Sequence, residues 1–229
     1  MYERLKEQVC KANIALVEHG LVVLTWGNVS QIDRQTGLVA IKPSGVDYKD
    51  LTPEKIVVLD LNGRHIDGRL RPSSDTPTHL ELYRSFPGIG GICHTHSRYA
   101  TIWAQACKDI PCLGTTHADH FYGPIPCTSP MDRQAIEGDY ELNTGKAIVR
   151  RFAGIEPMTM PAVLVANHGP FTWGKDAFDA VANAIVLEEV AAMALGVEQL
   201  SPSHPPIDKA LLDRHFLRKH GSKAYYGQR

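Results

Sequence analysis

The run KIVVLDLNGRHIDG, residues 55–68, limits the fold more than any other stretch of this chain. It sets Asn62-Gly63 between two apolar segments, and that dipeptide accepts the positive φ angles of a tight hairpin turn. Two strands joined in this way pair antiparallel. Elsewhere the apolar spacing is that of helices. An amphipathic pattern over about residues 3–18 ends at Gly20, a plausible cap. A second helix opens in SSDTPTHLELYRSF, with Pro77 in its first turn. Others are predicted over about residues 98–106, through AIVRRF, along DAFDAVANAIVLEEVAAMAL and near residues 207–219. LVVLTWGNVSQID reads as a strand broken at Trp26-Gly27-Asn28, and AVLVANHGPFTW as one more strand. Hairpin signals beside helices predict a mixed α/β domain, an antiparallel sheet with helices packed on its faces. No segment of the 229 residues looks like a linker, so a single domain over 1–229 is expected.

The net charge of −1, with 21% charged residues, suggests neither a nucleic-acid binder nor a membrane-surface protein. An acidic or phosphorylated substrate then needs a local pocket of cations and amides. The N-terminal pattern carries charges throughout, unlike a signal peptide, and no apolar run is read as reaching the ~20 residues of a membrane span. Cys10, Cys93, Cys107, Cys112 and Cys127 are odd in number and form no CxxC pair. They are expected to be reduced thiols of a cytoplasmic protein, packed rather than paired.

GGICHTHSRYA, residues 90–100, places His94 and His96 one residue apart behind a small apolar run. On a strand both would face the same way, with Cys93 facing the other. Two adjacent imidazoles suit a divalent metal, although alone they read more readily as a solvated strand end. His168 follows the strand AVLVA and precedes Gly169-Pro170, which bend the chain after the ring. Three histidines at neighbouring strand ends would leave metal positions open for substrate. Asp75, before Thr-Pro, is either an ordinary helix N-cap or a fourth ligand or nearby acid/base. The loops TWGNVS, KPSGV and RPSSD together offer Asn28, Lys42, Ser44, Gly45, Ser73 and Ser74. Oriented amides and hydroxyls with a single cation are what a phosphate needs.

LTWGNVS, IKPSGVDY, RPSSDTPTH, GGICHTHS, GTTHAD, NHGPFTWGK and RKHGSKAYYGQ resemble, in combination, the class II aldolase/adducin-related family, and within it the sugar-phosphate epimerases. The resemblance spans essentially the whole chain. It implies a three-layer α/β/α fold around a mostly antiparallel sheet, a homotetramer with active sites at subunit interfaces, and one divalent metal per subunit, usually zinc. By match, the metal residues are Asp75, His94, His96 and His168. The phosphate and substrate loops are Gly27, Asn28, Lys42, Ser44, Gly45, Ser73 and Ser74. Asp119 and Tyr226 match the proton-transfer pair, and His215 a supporting residue. The implied substrate is a phosphorylated ketopentose, and the implied reaction is inversion at C4 between L-ribulose 5-phosphate and D-xylulose 5-phosphate. C4 has no adjacent carbonyl, so retro-aldol cleavage of C3–C4 and re-addition to the other face is the expected route. The family's aldolases carry glutamate where this chain has Asp75, which favours the epimerase. His120 departs from the pattern, which has an aromatic there. A fuculose-phosphate type of aldolase and a non-catalytic adducin-like scaffold are the alternatives.

Overall fold

The hairpin at Asn62-Gly63 forms where expected, with Asp60 N bonded to Arg64 O at 3.0 Å and Gly63 N to Asp60 O at 2.9 Å. The computed structural model describes residues 2–221 and 224–226. Strands β1 (Asn28–Asp33), β2 (Leu38–Ile41), β3 (Val57–Asp60), β4 (His65–Asp67), β5 (Gly91–His94), β6 (Ala162–Leu164) and β7 (Pro170–Gly174) make one sheet. Its spatial order is β4-β3-β2-β1-β5-β7-β6, and every neighbouring pair is antiparallel.

Side chains alternate between two covered faces, as the pleat requires. Val29, Ala40, Val58 and Cys93 point to the face that carries α1 (Glu3–Glu18) and the first half of α7 (Ala177–Leu200). Ile32, Val39, Ile92, Phe171 and Trp173 point to the other face, where they pack with residues of α2 (Thr76–Ser85), α3 (Arg98–Gln105) and α6 (Tyr140–Arg151). The result is the three-layer arrangement expected from the resemblance. Cys93 faces away from the imidazoles, as predicted. All five cysteines are free thiols, and only Cys107 is exposed.

Three expectations need correction. Residues 21–25 are not a strand: Leu21 turns into the core beside Leu16, Leu24 takes φ +54°, and the Tyr48 hydroxyl ties down the carbonyls of Trp26 and Gly27 at 2.8 and 2.9 Å. The edges of β1 are already taken by β2 and β5, which leaves this apolar run no partner. AVLVANHGPFTW is a hairpin, β6 and β7, rather than one strand, turning through Asn167 at φ +62°. Finally, α7 is long and apolar enough to cross a membrane by length and composition, with mean hydropathy 1.7. Its apolar character is explained by packing, because Ala177, Ala180, Val181, Leu187 and Val190 are core residues. The short α4 (Thr115–Ala118) and α5 (Arg133–Glu137) interrupt the irregular middle of the chain. The last helix, α8 (Lys209–His220), lies against the α4 region, its buried Phe216 4.9 Å from the Tyr122 ring.

Candidate active site

The imidazoles of His94, His96 and His168 converge. Their ring centroids lie 5.0, 4.8 and 5.0 Å apart in pairs, and one nitrogen from each falls within 4.8 Å of the others. Only His94 is on a strand; β5 ends there, and His96 reaches the cluster from the turn beyond it. His94 is cross-strand to Asn28 on β1 and to Phe171 on β7. Its ring stacks on Phe171 at 4.1 Å, and its Nδ1 donates to Pro170 O at 2.9 Å. That bond fixes the tautomer and leaves Nε2, 3.2 Å from His96 Nε2, as a free lone pair. His168 is carried by the β6–β7 turn, its Nδ1 3.4 Å from the Tyr140 hydroxyl. Burial and the neighbouring rings push His96 below the usual histidine range and His168 down to about 4. Neutral imidazoles are the form that ligates metal. The donor set therefore fits a divalent cation, imidazole-rich as zinc sites are.

Asp75 decides between its two sequence readings by where its carboxylate points. It occupies the N-cap position of α2, yet makes no capping bond. Instead Oδ2 accepts from Asn28 Nδ2 at 2.7 Å, and Asn28 Nδ2 also reaches Ser73 Oγ at 3.1 Å. Burial would raise the Asp75 carboxyl, but His94, His79 and the Asn28 bond outweigh it and hold it low. Asn28 Oδ1 is buried without a partner, an acceptor facing nothing from its own chain. Such a group is costly unless a ligand meets it.

A cavity of about 590 Å³ joins these groups to the expected phosphate loops. Gly27, Asn28, Lys42, Ser44, Gly45, Ser73, Ser74, Asp75, His94, His96 and His168 all line it, together with Trp26, Tyr140 and Glu141. The loops meet because Pro43 bridges to Pro72, with Ser44 N bonded to Arg71 O and Ser73 N to Lys42 O, both at 3.0 Å. Gly27 cannot be replaced without strain: it holds φ +77°, and a Cβ there would sit 2.8 Å from His94 O. Lys42 is only 2% exposed, its Nζ 4.7 Å from the Tyr48 ring centre. Burial lowers its pKa against the smaller pull of Asp47. A buried cation without a carboxylate in contact is a seat for an anion.

Asp119, His215 and Tyr226 gather in a second cluster, and none of them lines this cavity. Asp119 bonds His215 Nδ1 at 3.0 Å and Arg218 through both oxygens, while Arg218 and Lys219 lie 4.8 and 4.7 Å from the centre of the Tyr226 ring. Sequence reasoning missed Arg218 and Lys219, although their spacing of three and four from His215 on a helix puts them on its face. It also missed Tyr140 and Glu141, which no motif marks. His120 lies beside the cluster, lowered chiefly by burial.

Comparison with known proteins bears on the family and the fold. The family model described as Class II Aldolase and Adducin N-terminal domain matches residues 7–195. The chain is 55% identical over 227 residues to L-ribulose-5-phosphate 4-epimerase UlaF of Salmonella paratyphi B and to that of Salmonella typhi, covering 99% of this chain and 100% of each relative. Among solved structures it resembles an L-fuculose 1-phosphate aldolase, with 27% identity, TM-score 0.78, and coverage of 93% of this chain and 94% of the other. The L-fuculose 1-phosphate aldolase from Glaciozyma antarctica PI12, at 20% identity, TM-score 0.77, and coverage of 97% and 84%, shares the fold. The chain belongs to the class II aldolase and adducin family.

Proposed function

We propose that this protein inverts C4 of L-ribulose 5-phosphate to give D-xylulose 5-phosphate, by cleaving and remaking the C3–C4 bond. The observation that carries the reading is one cavity holding three converging imidazoles at one side and buried Lys42 at the other. The 55% identity to curated epimerases supports it. Family members depend on a metal, typically zinc. His94, His96 and His168, with Asp75 beside them, would hold it, and when bound it supplies Lewis acidity to the ketone and adjacent hydroxyl oxygens.

The chain's own groups do the rest. Lys42, Ser44 and the 73–74 loop hold the phosphate, so the two-carbon aldehyde fragment stays while its carbonyl turns over. Asn28 Oδ1 accepts a substrate hydroxyl, and Asn28 Nδ2 keeps Asp75 from swinging out. Held in this way and shorter than glutamate, Asp75 is poorly placed as the base that the family's aldolases are expected to use. The expected pair Asp119 and Tyr226 supplies proton transfer on the two faces of the aldehyde, contributed by a neighbouring copy in a homotetramer. The enzyme acts in the cytoplasm as a single-domain chain, without nucleic-acid or membrane partners.

The test is direct. Purified protein should convert L-ribulose 5-phosphate to D-xylulose 5-phosphate, lose turnover to a chelator, and regain it when zinc is restored. Release of free aldehyde from L-fuculose 1-phosphate at a comparable rate would establish the aldolase reading instead.

A further inference from the structure

Two of the three converging imidazoles have a polar partner behind the ring. His94 Nδ1 donates to Pro170 O at 2.9 Å, and His168 Nδ1 lies 3.4 Å from the Tyr140 hydroxyl. His96 has none among the described residues: its one polar contact is Nε2 to His94 Nε2, inside the cluster itself. Its placement therefore depends on the turn 95–97 that carries it and on Trp26, whose ring centre is 6.0 Å away. Thr95 and Ser97 are buried on either side of it. On the β5 side, Thr95 N donates to Pro170 O at 3.4 Å; on the other side the chain enters α3 at once.

A helix start leaves amide donors without acceptors in the helix. Ser97 holds the N-cap position of α3, where a serine commonly accepts from these amides, yet it makes no capping bond. The acceptors come from a residue remote in sequence. Glu188 on α7 accepts from Tyr99 N at 2.8 Å and from Ala100 N at 3.0 Å, one bond to each carboxylate oxygen. The peptide dipoles favour an anion at this end of the helix. Glu188 is half-buried, and α7 around it is fixed by the core residues Ala184, Leu187, Val190 and Ala191. One turn further on, Trp103 Nε1 donates to Ala191 O at 3.0 Å, a second tie between the same two helices. Glu188 does not line the cavity of Lys42; it lines an adjoining one of about 650 Å³, and Trp26 and His96 belong to both.

We infer that Glu188 is a positioning residue of the metal centre: by holding the first amides of α3 it fixes the 95–97 turn, and through that turn the His96 ring against His94 and His168. The inference rests on the metal-holding role proposed above for the three histidines. It adds a carboxylate on another helix that makes no hydrogen bond to any of them among the described residues. Glu188→Gln keeps the size of the side chain but turns one acceptor into a donor, which cannot bond an amide N–H. One of the two ties is then lost and the turn gains freedom. The ring must be ordered again whenever metal binds, which weakens binding.

The test measures metal affinity of the full-length protein, first stripped of metal and then titrated in competition with a chelating dye. Glu188→Gln should raise the Kd for zinc ~10-fold or more, the effect of losing a support behind a metal ligand. Trp103→Phe cuts the other tie between α3 and α7 and serves as the structural control. It should lower the Tm of the metal-free protein while leaving the zinc Kd within about threefold of wild type. The decisive measurement is a double-mutant cycle with His96→Asn, run with copper(II), which imidazole sites hold more tightly than zinc. With His96 gone, Glu188→Gln should change the copper Kd by less than about twofold, whereas in the wild-type background it should weaken copper as it weakens zinc. An equal loss in both backgrounds would overturn the assignment. So would an equal loss from Trp103→Phe, or a zinc Kd for Glu188→Gln within about threefold of wild type. Wild-type protein that fails to bind zinc would instead defeat the metal reading of the three histidines, before any variant is compared.

Discussion

At the scale of single residues, the site is built from groups that folding alone would disfavour. Among the described residues, the Lys42 ammonium group has Pro43 O at 3.5 Å and the Tyr48 ring as its hydrogen-bond and ring neighbours. Because burial depresses its folded-state pKa, the unfolded chain binds more protons, and stability rises with pH from that depressed value up to the ordinary lysine pKa near ~10.4. Lys42→Met should therefore raise Tm by a few degrees at neutral pH. It should also raise KM for L-ribulose 5-phosphate at least ~10-fold, the size of one lost charge-assisted hydrogen bond. Inorganic phosphate should raise the Tm of wild type and not of the variant; equal responses would take the phosphate away from Lys42. The histidines obey the same sign. His168 at about 4, His79 at about 3 and the lowered His96 all lie below the ordinary value. The metal-free protein should thus lose stability as pH falls from ~6.5 through the folded values, since the unfolded chain takes up protons first. A Tm series on chelated protein that stays flat between pH 7 and 5 would refute this. Lys42, His96 and His168 were legible because each combines a chemical type with a turn motif; His79 inside α2 was not, nor were Tyr140 and Glu141, because no motif marks those helix positions.

The secondary-structure elements explain why the motifs land where they do. The two histidines of β5 and its following turn reach one point because β5 lies between β1 and β7, which bring Asn28 and Phe171 directly alongside His94. Helix starts, the Asn62-Gly63 hairpin and the long α7 were readable from local chemistry. Strand order was not, since it depends on contacts remote in sequence, and in the run at residues 21–25 only Leu21 is buried while Val23 and Leu24 stay exposed. Gly91 marks a tight join. A Cβ there would lie 2.3 Å from the carbonyl atoms of Asp176, the residue whose side chain caps α7 by accepting from Asp179 N. Any side chain at 91 must push α7 away from β5, and α7 carries much of the core. Gly91→Ala should cost ~3 kcal/mol or more, at the upper end of overpacking penalties. A urea midpoint shifted by less than the equivalent of ~0.5 kcal/mol would show that this junction yields easily.

For the whole molecule, the division of the chemistry into two clusters is the central fact. The cavity presents imidazoles, Lys42 and Asn28, while Asp119, His215 and Tyr226 stand outside it, just after α4, on α8 and in the tail. The sequence motifs identify both groups without showing that they separate, because a motif records which residues matter and not whose site they serve. A repeating assembly resolves the separation if each cavity meets the second cluster of the next copy, which is the homotetramer expected from the resemblance. The consequence is measurable. His96→Asn damages the cavity half and Tyr226→Phe the proton-transfer half, so each homogeneous variant should be nearly inactive. In hybrids formed by co-expression, sites built from two different chains combine an intact cavity with an intact cluster in about a quarter of cases for random mixing. Activity should then rise from near zero towards that fraction of wild type. If one chain supplied both halves of its own site, every site in every hybrid would keep one broken half and mixing would restore nothing. Hybrids as inactive as their parents, with subunit exchange verified by mass, would place both clusters in a single chain's site and remove the need for a neighbour.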